Sequence, residues 1–392
     1  MSPAPFSRSA DLKRLRDEGY FVRIQGGFLV MREVPYVDGQ RQVRTGTLIS
    51  SLTMAGDETR SPDTHVVYFD GDYPCRADGT PIQGISHQTN TVLSLGHGLT
   101  ARQAFSSKPD TGYTDYYHKM TSYAGILSGP AAVVRPGITP RVFRAPEDGE
   151  DSVFNYIDTA SDRAGIGALT ERLHAERVAI IGVGGTGSYV LDFVAKSPVR
   201  EIRLFDQDEF LQHNAFRTPG AASLGELREA PKKVDYLKTI YDRMHRFISA
   251  HPVALHDGNL DLLNGVTFAF LCVDAGDAKR GIIEKLKAIG ASFVDVGMGL
   301  ELDDGSLGGI LRVTASTPFK RNHVYQGRIS FVGGGADDLY SSNIQVADLN
   351  ALNAVLAVVK WKKIRGFYRD LEREHHCTYT TDGNMLLNGD LG

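Results

Sequence analysis

The residues best suited to do chemistry lie between Arg177 and Lys233. Gly182, Gly184, Gly185 and Gly187, with Thr186 among them, spell GVGGTG, which fits the pattern G-x-G-x-x-G letter by letter. Glycines so placed let the backbone turn sharply and come close to a phosphate. A helix starting there would offer free N–H groups and its positive dipole end. Asp206 stands 24 residues beyond Gly182, about where an acid meets ribose hydroxyls. Asp208, His213, Asn214, Arg217 and Lys233 follow within FDQDEFLQHNAFRTPG and PKKVDYL. A hydride-transfer site needs a flat apolar slot for nicotinamide and has little use for two cations here. Activation of a carboxylate by ATP does need them. Its attack on the α-phosphate brings negative charges together, and Arg and Lys neutralise the charge that develops. An acid at a strand end can hold Mg2+ against the phosphates. The competing readings are an NAD-dependent oxidoreductase, which would bind NADH, and a non-catalytic nucleotide-binding scaffold, which need not keep the polar set.

These residues require a particular frame. Val178 to Ile181 is a short apolar run of the kind that forms a buried parallel strand. Tyr189, Val190, Phe193 and Val194 repeat at helical spacing, and a second apolar strand, Ile202 to Phe205, ends at Asp206. Strand, glycine turn, helix, strand and acid make the first unit of a Rossmann-like sheet. A helix over 160–174 leads into it. Downstream, the pattern predicts a long amphipathic helix from about Lys232 to Ser249 and a strand from Thr267 to Val273 ending at Asp274. A helix over Gly281 to Ile289 and a strand over Ser292 to Val296 follow. Gly297 to Ser316 reads as a β crossing, Asn343 to Phe367 as an apolar helix, and Thr378 to Leu387 as a closing strand. Lys360, Lys362, Lys363 and Arg365 read as a solvated helix end, where positive charge suits the dipole. His375 and His376 beside Cys377 read as structural, because no second ligand cluster accompanies them.

A chain of 392 residues suggests two or three domains. With 42% hydrophobic and 23% charged residues it has the composition of a soluble globular protein. The net charge of −4 argues against a general nucleic-acid binder. No apolar run approaches the ~20 residues that span a bilayer. The N-terminus lacks the apolar centre of a signal peptide, so a cytoplasmic location is expected. Residues 1–140 read as a smaller α+β domain: a helical start at Asp11 to Gly19, then strands over Tyr20 to Ile24, Phe28 to Val34, Thr47 to Leu52 and His65 to Phe69. Residues 141–158 read as a linker, and 159–392 as the α/β domain with a mostly parallel sheet. The tyrosine-dense segment from Ser107 is either aromatic core or a protein-binding face. Cys75, Cys272 and Cys377 form neither a disulfide framework nor a CxxC zinc pair.

At the residues quoted above, and over roughly 160–392, the chain resembles the ThiF/MoeB/E1 superfamily of adenylating enzymes. GVGGTGSYV stands for the family's glycine loop, FDQDEF for its D-x-D strand end, HNAFR for N-x-x-R, KKVDYL for its lysine helix, and CVDAGDAKR for its metal acid with a later Arg. The resemblance implies that Asp206 binds ribose and that Asn214 and Arg217 contact phosphates. It makes Lys233 the lysine, with Lys232 as the alternative register. It makes Asp274 the Mg2+ acid; Ala275 replaces the usual Asn and one extra residue precedes Arg280, so Asp277 is a rival. Thr218 stands where the family usually has Gln. An arginine supplied by a dimer mate would fall on Arg163. In SYVLDFVAKSPVREIRLFDQDEFLQHNAFRTPGA and the late SSNIQVADLNALNAVLAVVKWKK the chain further resembles a bacterial ThiF-like subgroup with an uncharacterised N-terminal domain, encoded in ubiquitin-like conjugation operons, some of them for antiphage defence. This implies an E1-like homodimer that adenylates the C-terminal carboxylate of a ubiquitin-like protein with Mg-ATP and works with an E2-like protein. Sulfur-carrier activation in cofactor biosynthesis is the alternative within the family. Related enzymes pass the adenylate to a cysteine. Cys272 ends a buried strand and is a poor acceptor, whereas Cys75 and Cys377 are expected to be exposed candidates. The turn DGDYPC resembles a segment of the E2-like fold, so the N-terminal domain is expected to dock a protein partner.

Overall fold

The structure, a computed structural model, describes residues 4–89, 91–144, 152–274, 276–331 and 344–392. The chain forms two compact units, Met1–Glu171 and Arg172–Gly392. The division falls inside the stretch whose periodicity predicts one helix over 160–174. Three short pieces stand there instead, Thr159–Arg163, Gly167–Thr170 and Glu171–Leu173. Gly165, at φ +67°, breaks the helix between the first two. Part of the expected linker, 145–151, lies outside the described residues.

In the N-terminal unit, helix α1 (Ala10–Asp17) precedes an antiparallel sheet. Its strands are β1 (Val22–Gln25), β2 (Phe28–Val37), β3 (Val43–Ser51), β4 (Val66–Asp70), β5 (Ser86–Gln88) and β6 (Gln103–Ser106), in the order β1-β2-β3-β4-β6-β5. The tyrosine-dense segment feeds a helix, α2 (Tyr116–Val134), capped by Asp115, whose carboxylate accepts from the His118 N–H at 2.7 Å. The sequence reading did not place this helix, because Gly125, Gly129 and Pro130 are poor helix formers. Its packing decides the role of the tyrosines. Tyr116 and Tyr123 are fully buried and Tyr113 nearly so, with Tyr123 donating its hydroxyl to the His65 carbonyl at 2.6 Å. They form core rather than a binding face.

The C-terminal unit is built on one eight-stranded sheet. Its strands are β7 (Arg177–Ile181), β8 (Glu201–Phe205), β9 (Ile248–His251), β10 (Phe268–Leu271), β11 (Ser292–Asp303), β12 (Ser306–Ser316), β13 (His376–Thr380) and β14 (Met385–Gly389). They lie in the order β9-β8-β7-β10-β11-β12-β13-β14, parallel from β9 to β11 and antiparallel beyond. Helices α3 (Gly185–Val194), α4 (Lys233–Tyr241), α5 (Asp277–Ala288) and α6 (Ala347–Ile364) accompany it. The chain runs outward from β7 through β8 to β9, then returns to lay β10 on the other side of β7. That reversal opens a crevice beyond the carboxyl ends of β7 and β10, where ligands bind in open α/β sheets.

Four expectations are corrected here. The helix from Lys232 stops at Tyr241, and Ile248–His251 is an edge strand too short and polar to show in the pattern. The β crossing is a hairpin of β11 and β12 turned at Asp304 and Gly305, both at positive φ, as an Asp-Gly turn requires. The basic end of α6 is not solvated. Lys360 is 5% exposed and pairs with Asp370 at 3.0 Å and Glu374 at 3.4 Å; Lys363 reaches Glu374 at 2.9 Å, and Arg365 reaches Glu176 at 2.9 Å. The closing strand expected over Thr378 to Leu387 is a hairpin of β13 and β14, while the apolar residues of α6 pack inside its own unit, against α3, β11 and β12, with Trp361 fully buried.

Candidate nucleotide site

The glycine turn follows β7 directly. Gly182 sits at φ +85°, and a Cβ there would lie 2.5 Å from the Cys272 carbonyl oxygen, so only glycine lets β7 and β10 end side by side. A Cβ on Gly187 would lie 1.9 Å from the Gly182 carbonyl oxygen, which fixes how closely α3 returns to the turn. Gly187→Ala should therefore destabilise the C-terminal unit by about 1–3 kcal/mol or more, read as a lower thermal midpoint, since backbone cannot step aside as a side chain would. Around Gly184 the space is open, leaving the first N–H groups of α3 accessible.

Asp206 ends β8 and braces this turn. Its carboxylate accepts from the Val183 N–H at 3.0 Å and from the Asp208 N–H at 3.0 Å. A carboxylate has about four lone-pair sites, so capacity is left for hydroxyl donors. Lys233, 7% exposed, places its ammonium 2.7 Å from Asp208 and 3.8 Å from Asp206. Its position is set by the backbone: Lys233 N–H donates to the Asp208 carbonyl at 2.9 Å, Phe210 N–H to Pro231 at 2.7 Å, and Phe210 stacks on Tyr236. Lys232 turns the other way and donates to the Gln207 carbonyl at 3.0 Å.

Asn214 is buried and organises a loop. Its side-chain oxygen accepts from the Leu211 N–H at 2.9 Å, and its carbonyl accepts from the Arg217 N–H and the Thr218 hydroxyl, each at 3.0 Å. It thereby carries Arg217, whose buried Nε has no hydrogen-bond partner. The Nδ2 of Asn214 is likewise unpartnered. His213 is exposed and does not line the site.

These elements enclose a cavity of about 400 Å³ lined by Gly182, Gly184, Gly185, Thr186, Asp206, Asp208, Arg217, Lys233 and Asp274. Of the expected set, Asn214 and Gly187 stand behind the wall. Asp274 is exposed on the cavity; the side chains of Asp277 and Arg163 lie outside the described residues. A larger hollow, about 890 Å³, opens at the amino-terminal ends of β10 and β11. Three of its five cations, Lys360, Lys363 and Arg365, are paired with acids, and it lies at the amino-terminal ends of the strands, so the smaller cavity at the carboxyl ends is the candidate site.

Sequence reasoning missed five residues here. Asn350 and Asn353 face the site from α6, 0% and 1% exposed. Thr186 donates its hydroxyl to Asn350 at 3.0 Å, and Asn353 donates to the Gly297 carbonyl at 3.1 Å. Two asparagines three apart in an apolar helix were the available signal. Buried Lys279 and Asp295 and the half-buried Arg312 form a charged group: Asp295 meets Lys279 at 2.5 Å and Arg312 at 2.7 Å. An acid inside the apolar run of β11 was its trace.

The cysteines differ from expectation. Cys75 is 3% and Cys377 9% exposed. Burial raises the Cys75 thiol, with Asp38 and Asp78 adding to it, and burial with Glu374 pushes Cys377 up to about 11. Cys272 is also raised, first by burial and then by Asp295. The turn letters around Cys75 suggest surface, but its N–H is tied to the Val37 carbonyl at 2.8 Å and its side chain joins the core. None is an activated thiolate. Alkylation of the native protein by iodoacetamide at pH 8 should be slow at all three and become fast on unfolding; rapid labelling of Cys75 or Cys377 would restore it as an acceptor.

Residues 10–159 match a domain of unknown function, DUF6791, and residues 160–301 match the ThiF family. Ubiquitin-like modifier-activating enzyme 5 of Culex quinquefasciatus is 26% identical over 154 residues, covering 36% of this chain and 38% of that protein. The Aedes aegypti enzyme of the same name is 25% identical over 154 residues, with the same shares. The chain thus spans well under half the length of these relatives. Among solved structures, PaaA has a TM-score of 0.44 at 17% identity, covering 57% of this chain and 75% of that one. MccB of E. coli with ATP has a TM-score of 0.43 at 16% identity, covering 58% and 67%. With the glycine turn at the sheet's switch point and the match over 160–301, the C-terminal half of this chain carries a ThiF-family domain.

Proposed function

We propose that this protein is an ATP-dependent adenylyltransferase that activates the C-terminal carboxylate of a ubiquitin-like protein, releasing pyrophosphate, for conjugation in a bacterial ubiquitin-like pathway. The observation that carries this is the pair of cations on one cavity wall: the buried Lys233 ammonium and Arg217 with its unpartnered Nε, both beside the glycine turn. In this reading the N–H groups of α3 and the two cations receive the triphosphate, and the spare lone pairs of Asp206 accept the ribose hydroxyls. A carboxylate oxygen attacks the α-phosphorus. The new C–O–P bond forms as the bond to the β-phosphate oxygen breaks, and pyrophosphate leaves with the negative charge that Arg217 and Lys233 offset.

Among the described residues no group of three His, Cys, Asp or Glu could hold a metal by itself. Mg2+ needs less, since it keeps waters and takes one or two carboxylates with substrate phosphates. The exposed Asp274 on the cavity fits that role, and the ion would supply charge neutralisation on the phosphates.

The N-terminal unit is proposed to dock the ubiquitin-like protein or an E2-like partner rather than to carry a thioester. A helix followed by the meander β1 to β4 and the Tyr73-Pro74 turn supports an E2-like relation, and the buried Cys75 weighs against catalysis. A homodimer with Arg163 reaching the neighbouring site is proposed on the resemblance alone. Light scattering at micromolar concentration tests it, and an active monomer would refute it. Among the described residues no helix is long and apolar enough to cross a membrane.

The test is calorimetry with ATP and with NAD, followed by ATP–pyrophosphate exchange with a ubiquitin-like protein as the substrate. ATP binding with exchange supports the reading. Tight NAD binding without exchange would replace it by the oxidoreductase.

A further inference from the structure

The hollow of about 890 Å³ at the amino-terminal ends of β10 and β11 lies at the opposite end of the strands from the nucleotide cavity, and the chemistry assigned above makes no use of it. Its size falls within the range of roughly 300–1,000 Å³ that small-molecule sites occupy. Val266, Ile289 and Ile364 give it an apolar wall, and Phe319 extends that wall into solvent. Phe319 is 99% exposed on a turn held at both ends. The Thr317 N–H donates to the Lys320 carbonyl at 3.2 Å, and the Lys320 N–H to the Thr317 carbonyl at 3.1 Å. A phenyl ring so placed adds to the apolar surface that a ligand can bury.

Five cations line the hollow, and three acids answer them. Lys360 and Lys363 share Asp370 and Glu374, and Arg365 takes Glu176. Lys320 and Arg373 are left over. Lys320 gives its ammonium to the backbone carbonyls of Asp390, at 2.8 Å, and Leu391, which carry no net charge. The Asp390 carboxylate turns instead to Arg328 at 2.8 Å. Arg373 is tied down through its backbone: its N–H donates to the Asp370 carboxylate at 3.0 Å, and its carbonyl accepts from His375 Nδ1 at 2.9 Å. Its guanidinium, on an exposed side chain, has no ion-pair partner among the described residues. One carbonyl joins the two positions. The Asp390 oxygen that takes the Lys320 ammonium also accepts from the His375 N–H at 3.2 Å. His375, itself on the hollow, registers the positive field: burial first, and then Lys360, His323 and Lys320, hold its imidazole below the usual range.

We propose that this hollow is a second ligand site, for a small organic anion: Lys320 and Arg373 hold its carboxylate or phosphate head, and the apolar wall with Phe319 covers its body. Arg373 offers a planar fork suited to two-point hydrogen bonding of such a head, and the Lys320 ammonium has a third N–H to give. The two uncompensated charges favour an anion over a neutral ligand of the same shape. The site stands apart from the glycine turn and does not depend on the adenylation reading.

Calorimetry on the full chain with 1-naphthylacetate and the neutral 1-naphthylacetamide tests it. Wild type should bind the acid at least about tenfold tighter than the amide, the scale of one charge-assisted hydrogen bond. Arg373→Gln should weaken the acid by about fivefold or more and leave the amide unchanged, since that side chain holds nothing in the fold. Lys320→Gln, which can still donate to the Asp390 carbonyl, should do the same, and the double variant should bind acid and amide alike. Phe319→Ser should weaken both ligands by a similar factor. Thermal melts near wild type show that each variant is folded. NMR of the His375 ring protons locates the ligand, because the acid should raise the pKa of this imidazole and the amide should not. 1-Naphthyl phosphate distinguishes the heads: binding tighter than the acetate assigns a phosphate, and weaker binding a carboxylate. Equal binding of acid and amide by wild type, a preference that survives the double variant, or a His375 pKa unmoved by the acid overturns the proposal.

Discussion

Lys233→Ala should lower ATP–pyrophosphate exchange by about a hundredfold or more, the scale seen when one preorganised donor to developing charge is removed. The ammonium is 7% exposed and held between Asp208 and Asp206, so no water-borne cation can take its place without the same desolvation. Arg217→Ala should cost as much, because its Nε is buried without a protein partner and a ligand oxygen would be its acceptor. The neighbouring Lys232→Ala is the control. Its ammonium bonds the Gln207 carbonyl and Lys232 does not line the cavity, so exchange should stay within about twofold of wild type. A dead Lys232 variant beside an active Lys233 variant would mean that the lysine register is shifted by one. Thermal melts accompany each measurement, since Lys233→Ala also leaves Asp206 and Asp208 without their cation.

What could be read from the sequence follows from how local each feature is. The glycine turn and Asp206 act within one βαβ unit, and their spacing is dictated by backbone geometry that any such unit shares. The hydrogen bond from Val183 to Asp206 is the physical reason that spacing holds. Lys233 was legible because the strand end and the helix start that place it are also close in the chain. Asn350 and Asn353 come from α6, far along the sequence, and their role appears only when that helix lies against α3. Lys279 and Asp295 were hidden for a related reason. Each is an ordinary charge in its own element, and only the β10–α5–β11 connection makes them one buried pair. The misjudged cysteines show the converse error. Turn-forming neighbours promise exposure for Cys75, yet the turn is pinned to β2 and the thiol faces inward. At the basic end of α6 the segment 370–374 folds back to supply acids, which no periodicity in the helix could announce.

Asp274→Ala should abolish metal-dependent exchange while leaving the fold and the glycine turn in place. The side chain is exposed on the cavity and follows β10, the strand whose end abuts Gly182, so nothing in the core depends on it. Its loss removes a carboxylate from the place where triphosphate charge accumulates, and Mg2+ bound through one or two protein carboxylates cannot spare it. A readout independent of turnover is available. Calorimetry of Mn2+ in the presence of AMPCPP should show affinity falling at least about tenfold in Asp274→Ala, with nucleotide binding measured without metal unchanged. Asp277→Ala is the decisive comparison, because the departure from the family pattern after Asp274 leaves either acid able to fill the position. If Asp277→Ala loses Mn2+ and exchange while Asp274→Ala keeps both, the metal acid is the first residue of α5, and the extra residue before Arg280 has shifted the pattern.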